Sequence, residues 1–271
     1  IVAFGTSAPE ASVSIIGAIE HRNEISIGNV IGSNIVNIGF ILGLTALISP
    51  IVTNRESILY NGIIMIVSAC LFMLFAYTKG TITNLEGFLL FALLIIFTTT
   101  SIVIERKKSH SAFSQTNNED TKPAMPVWVA TFVIIGSCFA LSYGADLLIG
   151  SATDIAKAMH VSDRIIGLTI VSIGTSLPEL AASLIAAVKK QMDISVGNII
   201  GSNIFNILCV LGVSAAVSPI PVDWSVYLKD SIYMIAFSVV LLAYTLPKGK
   251  LGRIGGLTIL MAYIYYVYSL F

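Results

Sequence analysis

The chain has 271 residues, of which 56% are hydrophobic and 11% are charged, and its mean hydropathy is +0.90. Soluble domains carry about a quarter charged residues, so this composition excludes an ordinary soluble domain and indicates an integral membrane protein. Fifteen Lys and Arg residues balance fifteen Asp and Glu residues. A chain without net charge offers no reason to expect a nucleic-acid partner, and its expected surroundings are a lipid bilayer.

Helices that cross the hydrocarbon layer need about 20 apolar residues. In chain order, the apolar stretches predict membrane-spanning helices at residues 1–19, 25–48, 58–77, 85–104, 127–150, 165–188, 194–217, 226–246 and 251–271. Residues 105–126 are polar and almost free of large aliphatic side chains, which predicts a flexible linker. The fold class expected from this pattern is an all-α, multi-pass integral membrane protein.

One stretch of the chain occurs twice. Residues 2–50 begin VAFGTSAPE, residues 171–219 begin VSIGTSLPE, and the two copies align without a gap at an offset of 169 positions. The residues they share are mainly Gly, Thr, Ser, Pro, Glu and Asn, which interrupt helices and bind cations. A repeated membrane-spanning unit of this kind predicts a transporter whose substrate site lies where the two halves meet.

The repeat divides the chain into a first half at residues 1–104, the linker at 105–126 and a second half at 127–271. The second half has one apolar span, residues 127–150, ahead of its copy of the motif. The first half begins inside its own copy. The sequence therefore predicts an N-terminally truncated protein that lacks a first helix and the start of the second, with ten helices in the whole.

Basic residues predict how the helices are oriented, because Lys and Arg collect on the cytoplasmic side. Ten of them fall on one predicted side: Arg55, Arg106, Lys107, Lys108, Lys122, Lys189, Lys190, Lys248, Lys250 and Arg253. Five fall on the other: Arg22, Lys79, Lys157, Arg164 and Lys229. This difference places the linker in the cytoplasm and makes the two copies run in opposite directions, as they do in alternating-access transporters.

Two acidic residues, Glu10 and Glu179, fall near the centre of a predicted span. An acidic residue there costs about 2.5–3.5 kcal/mol on insertion scales. A single one is explained by a protonated, hydrogen-bonded structural carboxyl, but two at equivalent positions favour a functional site. Pro9 and Pro178 precede them and predict a break in each helix. An ordinary proline kink remains the alternative for the break itself.

Hydroxyl and amide groups surround each glutamate in the sequence. The hydroxyls lie one turn before it, and a second motif, GNVIGSNIVN in copy one and GNIIGSNIFN in copy two, adds a Ser and an Asn at i, i+4 spacing. The groups are Thr6, Ser7, Ser33 and Asn37 in the first copy, and Thr175, Ser176, Ser202 and Asn206 in the second. Hard oxygens of this kind suit Ca²⁺, Na⁺ or Mg²⁺. For Asn29 and Asn198, a bond to a neighbouring helix is an equal alternative.

These motifs, present twice and inverted, resemble the two α-repeats of the cation/Ca²⁺ exchanger superfamily, and within it the sodium/calcium exchangers of prokaryotic type. The resemblance implies a ten-helix fold with four cation sites at mid-membrane. By position, it implies that Glu10 and Glu179 are central Ca²⁺ ligands shared with Na⁺. It implies further ligands at Thr6, Thr175, Ser7, Ser176, Ser33, Ser202, Asn37 and Asn206, and at the carbonyls of Ala3 and Ser172.

One departure from the family pattern concerns Asn37 and Asn206, where some relatives have Asp. With Asn at both positions the site carries two formal negative charges, from Glu10 and Glu179. This argues against the potassium-dependent branch, which carries additional Asp.

The function implied by the resemblance is secondary active antiport of Na⁺ against Ca²⁺ across a cell membrane. The expected protein is a monomer without a resident cofactor, and not an enzyme, since no H-E-x-x-H or G-x-S-x-G motif occurs. H⁺/Ca²⁺ antiport, or antiport of another divalent cation, on the same fold is one alternative. A cation channel is another, although channels usually place acidic groups in rings within an oligomer.

Overall fold

The structure is a computed structural model that describes residues 2–113, 127–247 and 249–271. Its helices are α1 (Val2–Thr6), α2 (Ala8–Ile19), α3 (Asn23–Ile48), α4 (Arg55–Lys79), α5 (Asn84–Phe113), α6 (Val127–Ala158), α7 (Asp163–Thr175), α8 (Leu177–Val188), α9 (Met192–Val217), α10 (Trp224–Thr245) and α11 (Arg253–Tyr268). Four two-residue strands join them at the membrane ends: β1 (Ile51–Val52), β2 (Thr81–Ile82), β3 (Ile220–Pro221) and β4 (Lys250–Leu251).

Helices occupy each predicted span within the described ranges, which confirms the all-α membrane fold. Five continuous segments there are long and apolar enough to cross a bilayer: Asn23–Ile48, Arg55–Lys79, Asn84–Ile104, Met192–Val217 and Trp224–Thr245. Helices α7 and α8 make a sixth span if they are counted as one helix bent by 44°. The first predicted span is divided between α1 and α2, and the last contains the 16-residue α11.

Two helices are longer than the sequence predicts. Helix α5 continues to Phe113, so the first nine residues of the predicted linker, 105–113, are helical. Helix α6 continues from the predicted end at residue 150 to Ala158. Apolar length marks where a helix leaves the hydrocarbon layer rather than where it ends, and Glu, Arg and Lys are good helix formers in water. The rest of the predicted linker, residues 114–126, lies outside the described residues.

The strand pairs show that the two copies are inverted. Strand β1 pairs with β4, and β2 pairs with β3, both antiparallel. Strand β3 lies 169 positions after β1, so it is the repeat equivalent of β1 (220 − 51 = 169). Because α4 separates β1 from β2, the two strand pairs lie at opposite ends of the bundle. Helices α3 and α9, which end just before β1 and β3, therefore run in opposite directions.

The two halves interlock through close helix contacts. A Cβ added at Gly87 of α5 would lie 2.6 Å from the carbonyl oxygen of Gly212 in α9. At the equivalent Gly256 of α11, a Cβ would lie 2.8 Å from the carbonyl oxygen of Gly43 in α3. The outer helix of each half thus packs on the inner helix of the other. The two halves, which residues 105–126 separate in the sequence, therefore pack against each other in the structure.

Helices α3 and α9 are the innermost elements, with 78% of their apolar windows buried. The corresponding window of α5 is 11% buried, and large apolar side chains such as Leu85 and Phe88 are exposed on it. Exposed apolar side chains are what a helix presents to lipid. The second repeated motif therefore lies on the two helices furthest from lipid.

The helix ends repeat the same chemistry in both halves. Asn54 caps α4, and its equivalent Asp223 caps α10, accepting hydrogen bonds from the backbone N–H of Ser225 at 3.0 Å and its hydroxyl at 2.6 Å. The bonds from Ser225 lower the pKa of Asp223. Gly80 and Gly249 follow the two helices with φ of +60° and +59°, a conformation that favours glycine.

A buried ion pair breaks the symmetry of the two halves. Asp230 of α10 is fully buried and accepts hydrogen bonds from the guanidinium of Arg164 in α7 and, at 3.0 Å, from the hydroxyl of Tyr266 in α11. The Arg164 guanidinium also lies 5.9 Å from the ring centroid of Tyr227. The first-half position equivalent to Asp230 is Asn61, which is uncharged. This pair therefore joins α7, α10 and α11 at one end of the bundle.

Candidate functional site

The two halves of the site begin at equivalent breaks in a helix. Ser7 separates α1 from α2, and Ser176 separates α7 from α8, each in a non-helical conformation. Pro9 and Pro178 lie in the first turn after each break, where proline is tolerated because the missing N–H would have no helical partner. The next residue in each copy is the predicted glutamate. Its carboxylate lies at a helix N-terminus, where the helix dipole favours negative charge.

The carboxylates of Glu10 and Glu179 are held by serines from the opposite half. Both glutamates are 0% exposed. The hydroxyl of Ser176 donates to Oε1 of Glu10 at 3.1 Å, and the hydroxyl of Ser7 donates to Oε1 of Glu179 at 2.7 Å. Ser202 donates to the same Glu179 oxygen at 3.1 Å. These crossed bonds bring the two acidic side chains into one buried cluster.

Asn29 takes a structural position beside this cluster. Its Oδ1 accepts from the hydroxyls of Thr175 at 3.0 Å and Ser33 at 3.3 Å. Its Nδ2 donates to the hydroxyl of Ser14 at 2.9 Å and the carbonyl of Glu10 at 3.2 Å. The amide is fully used by protein partners, which favours the structural interpretation of Asn29 that the sequence left open.

The predicted backbone ligands already accept hydrogen bonds. The carbonyl oxygens of Ala3 and Ser172 accept from the backbone N–H four residues on, at 3.0 and 3.1 Å. The hydroxyl oxygens of Thr6 and Thr175 lie 3.4 and 3.3 Å from the same two carbonyl oxygens. Thr6 lies 3.4 Å from Oδ1 of Asn198 as well. These oxygens therefore have donors, unlike the four acceptors described below.

Four asparagines form a second buried cluster, between α3 and α9. Nδ2 of Asn37 donates to Oδ1 of Asn203 at 2.9 Å, and Nδ2 of Asn206 donates to Oδ1 of Asn34 at 3.4 Å. Nδ2 of Asn203 donates in turn to the backbone carbonyl of Asn34 at 3.2 Å. Asn37 and Asn206 were predicted as site residues, whereas Asn34 and Asn203 were not.

Two methionines that sequence reasoning missed complete this cluster. Nδ2 of Asn203 lies 3.6 Å from the sulfur of Met65, and Nδ2 of Asn34 lies 3.4 Å from the sulfur of Met234. The methionines come from α4 and α10, outside the repeated motif. They are nonetheless repeat equivalents (234 − 65 = 169), so extending the same offset along the chain finds them.

Several buried oxygens among the described residues have no hydrogen-bond partner, and four of them belong to the predicted site residues: Glu10 Oε2, Glu179 Oε2, Asn37 Oδ1 and Asn206 Oδ1. A buried acceptor without a partner costs about 1–3 kcal/mol, and more if it is charged. Carboxylate and amide oxygens are the ligands that Ca²⁺ and Na⁺ prefer. The arrangement is therefore chemically suited to a hard cation.

Asn37 and Asn206 each begin a π-helical segment, Asn37–Leu42 in α3 and Asn206–Leu211 in α9. A third π segment, Gly167–Val171, precedes the break in α7. Single π turns within α-helices occur frequently at functional sites. The sequence did not predict them, because a π turn has the same apolar composition as the helix around it.

The close approach of α3 and α7 at Gly32 gives a testable expectation. A Cβ there would lie 2.7 Å from the carbonyl oxygen of Leu168 and 2.8 Å from Cβ and Oγ of Ser172. We expect Gly32→Ala to destabilise the protein by about 1–3 kcal/mol, since overpacking displaces the two helices. Thermal unfolding in detergent measures this.

Gly197→Ala is the matched control for that substitution. Gly197 lies inside α9, is exposed, and has no described atom within 4 Å of an added Cβ, so its midpoint should equal or slightly exceed that of wild type, since Ala favours a helix over Gly. Equal stability of the two variants would contradict the packing described for Gly32.

Comparison with known proteins identifies relatives along the whole chain. The family model described as "Sodium/calcium exchanger protein" matches residues 1–103 and 129–271. The putative antiporter CaxA of Alkalimonas amylolytica is 40% identical over 275 residues, covering 100% of this chain and 86% of the relative. The sodium/calcium exchanger MaX1 of Methanosarcina acetivorans is 33% identical over 312 residues, covering 100% of this chain and 87% of the relative.

A solved structure of the sodium-calcium exchanger NCX_Mj, soaked with Na⁺ and Ca²⁺, matches this fold with a TM-score of 0.76 and 31% sequence identity. The match covers 100% of this chain and 84% of that one. Inverted repeats, broken helices and a buried oxygen cluster at their interface define a secondary transporter of the inverted-repeat class.

More narrowly, the chain belongs to the sodium/calcium exchanger family. It is a multi-pass membrane antiporter of that family and not an enzyme, which confirms the class that its two motifs predicted.

Proposed function

We propose that the protein exchanges Na⁺ for Ca²⁺ across a membrane, with Glu10 and Glu179 as ligands that both ions share. The observation that carries the proposal is that four acceptors of the predicted site residues are buried without donors, and two of them belong to these carboxylates. A Ca²⁺ ion compensates two negative charges and supplies the missing partner for each oxygen. The names of the relatives MaX1 and NCX_Mj support the same pair of ions.

The other oxygens of the cluster are proposed as ligands that complete the coordination of Ca²⁺ or bind Na⁺ beside it. A hydroxyl both donates and accepts, so a serine that now donates to a carboxylate can turn its lone pairs towards a cation. The proposed neutral ligands are Thr6, Ser7, Ser33, Asn37, Thr175, Ser176, Ser202 and Asn206, with the carbonyls of Ala3 and Ser172.

Competition for the two carboxylates would couple the fluxes. Without a cation, Glu10 and Glu179 repel each other in a low-dielectric interior. One Ca²⁺ or two Na⁺ balance the charge, but both sets of ions need the same oxygens. Without bound ions, the protein would move these two negative charges between the two sides only slowly. Exchange is therefore favoured over leak. If more than two Na⁺ move per Ca²⁺, each extra charge is worth about 2.3 kcal/mol per 100 mV.

Alternating access is proposed to arise from movement of one helix group against the other. The bonds from Ser7 to Glu179 and from Ser176 to Glu10 cross the interface between the halves. Cations that replace these bonds therefore change the contacts that hold the two halves together. Inverted repeats give the outward-open and inward-open states equivalent helix packing.

Uptake of Ca²⁺ into proteoliposomes containing the purified protein tests the proposal. We expect uptake that saturates with Ca²⁺ and requires an outward Na⁺ gradient. Uptake driven by a proton gradient in Na⁺-free buffer would instead indicate H⁺/Ca²⁺ exchange. Flux that neither saturates nor needs a counter-ion would indicate a channel.

A further inference from the structure

We propose that Asn203 and Asn34 are positioning residues, which turn the amide oxygens of Asn37 and Asn206 towards the transported ion. This inference rests on the proposed function, since it takes these two oxygens as ion ligands. Neither Asn203 nor Asn34 is itself proposed as an ion ligand. Each acts through the amide that it contacts.

The orientation of an amide decides whether it attracts or repels a cation. Its oxygen is an acceptor with two lone pairs, and its NH₂ group carries two donors. Helix α8, which carries Glu179, packs against the π turn that begins at Asn37, and α2, which carries Glu10, packs against the one that begins at Asn206. An amide near carboxylate oxygens without donors is expected to turn its NH₂ group towards them. Another contact must therefore hold Oδ1 of Asn37, and of Asn206, towards the ion site.

A chain of hydrogen bonds supplies this constraint for Asn37. Nδ2 of Asn203 lies 3.2 Å from the backbone carbonyl of Asn34 and 3.6 Å from the sulfur of Met65. A carbonyl and a thioether only accept, so the NH₂ group of Asn203 must face them. Its Oδ1 then faces Asn37, 2.9 Å from Nδ2. The remaining atom of the amide, Asn37 Oδ1, is left without a described donor.

The second copy repeats the arrangement with weaker contacts. Nδ2 of Asn34 lies 3.4 Å from the sulfur of Met234, and Oδ1 of Asn34 accepts from Nδ2 of Asn206 at 3.4 Å. Here the acceptor that orients the Asn34 amide is the Met234 thioether, which accepts weakly. The orientation of Asn206 is therefore held less firmly than that of Asn37. We expect Asn34→Leu to weaken Ca²⁺ affinity less than Asn203→Leu does.

The test is a double-mutant cycle on the KM for Ca²⁺ in Na⁺-driven uptake. We expect Asn203→Leu to raise KM about five- to tenfold, because losing one hydrogen bond allows the Asn37 amide to reverse. In an Asn37→Asp background, Asn203→Leu should change KM less than about twofold, since a carboxylate presents oxygen at both ends. A structural role alone would raise KM in both backgrounds.

Two further variants keep the test decisive. Met65→Leu retains the side-chain volume and removes one acceptor that orients Asn203. We expect it to raise the KM for Ca²⁺ by about two- to threefold, and not to raise it in the Asn37→Asp background. Asn84→Leu is the control, because Asn84 donates to the backbone carbonyls of Ala215 and Ala216 at 3.2 and 2.9 Å. It should lower the thermal midpoint without raising KM.

The outcomes separate this inference from the proposed function. An equal rise in KM with Asn37 and with Asp at that position, or no rise with Asn37, would overturn the positioning role while Na⁺-driven uptake continues. A wild-type protein without Na⁺-driven Ca²⁺ uptake would overturn the proposed function itself, and the positioning role with it.

Discussion

Replacing either Glu10 or Glu179 by Gln is expected to reduce Na⁺-driven Ca²⁺ uptake about 100-fold or more, which corresponds to about 3 kcal/mol. Both side chains are fully buried, and each has an Oε2 without a described donor. The substitution keeps the shape of the side chain but removes one of two negative charges. It also replaces one carboxylate oxygen by an NH₂ group, which is a donor and cannot bind a cation. The charge of a divalent cation is then no longer neutralised.

Folding should survive this change. Gln retains an acceptor for the serine from the opposite half, and removing one of two close buried charges relieves repulsion. The thermal midpoint of Glu10→Gln is therefore expected to equal or exceed that of wild type. Glu56→Gln is the control, because Glu56 is exposed in the first turn of α4. Normal uptake by both Glu10→Gln and Glu179→Gln would show that the carboxylates are not the ion ligands.

The second large effect is expected at the buried ion pair. We expect Asp230→Ala to lower the free energy of unfolding by about 3–5 kcal/mol, because it leaves a partly buried guanidinium without its carboxylate. The Arg164 side chain is 21% exposed, so partial hydration favours the lower end of this range. Tyr266 loses its acceptor in the same variant. Thermal and denaturant unfolding in detergent measure the change.

A double replacement separates the charge effect from the loss of packing. Arg164→Met combined with Asp230→Leu removes both charges and keeps apolar volume, so it should recover most of the stability lost in Asp230→Ala. Asn61→Leu, at the equivalent position of the first half, involves no buried charge and should cost less than about 1 kcal/mol. A double variant as unstable as Asp230→Ala would mean that the cost comes from packing rather than from an unpaired charge.

Much of the fold was predictable because it depends on properties that are local in the sequence. Apolar length predicts the spans, and the gapless offset of 169 positions predicts that what occurs around Glu10 recurs around Glu179. An odd number of spans between two copies inverts them, whatever their packing. The helix extensions at Phe113 and Ala158 were not predictable in this way, since hydropathy reports contact with lipid and not the end of a helix.

The site was predictable in its residues but not in its contacts. The cost of an acid in hydrocarbon singles out the two glutamates from their positions alone. The bonds that cross between the halves join residues more than 160 positions apart, and the structure pairs Ser7 with Glu179 rather than with Glu10. The sequence leaves Asn29 open between an ion ligand and a structural bond to a neighbouring helix, and its four hydrogen bonds favour the structural role.

By itself, then, the sequence determined a duplicated, inverted membrane protein with two acids in its interior, because hydropathy and repetition are written along the chain. The tertiary structure alone decided which buried oxygens lack donors, and which amides and thioethers orient their neighbours. Hydrogen bonds are short and directional, so they follow from the packing of α3 against α9 and not from spacing along either helix. The same reason applies to Arg164 and Asp230, whose pairing needs three helices to meet at one end of the bundle.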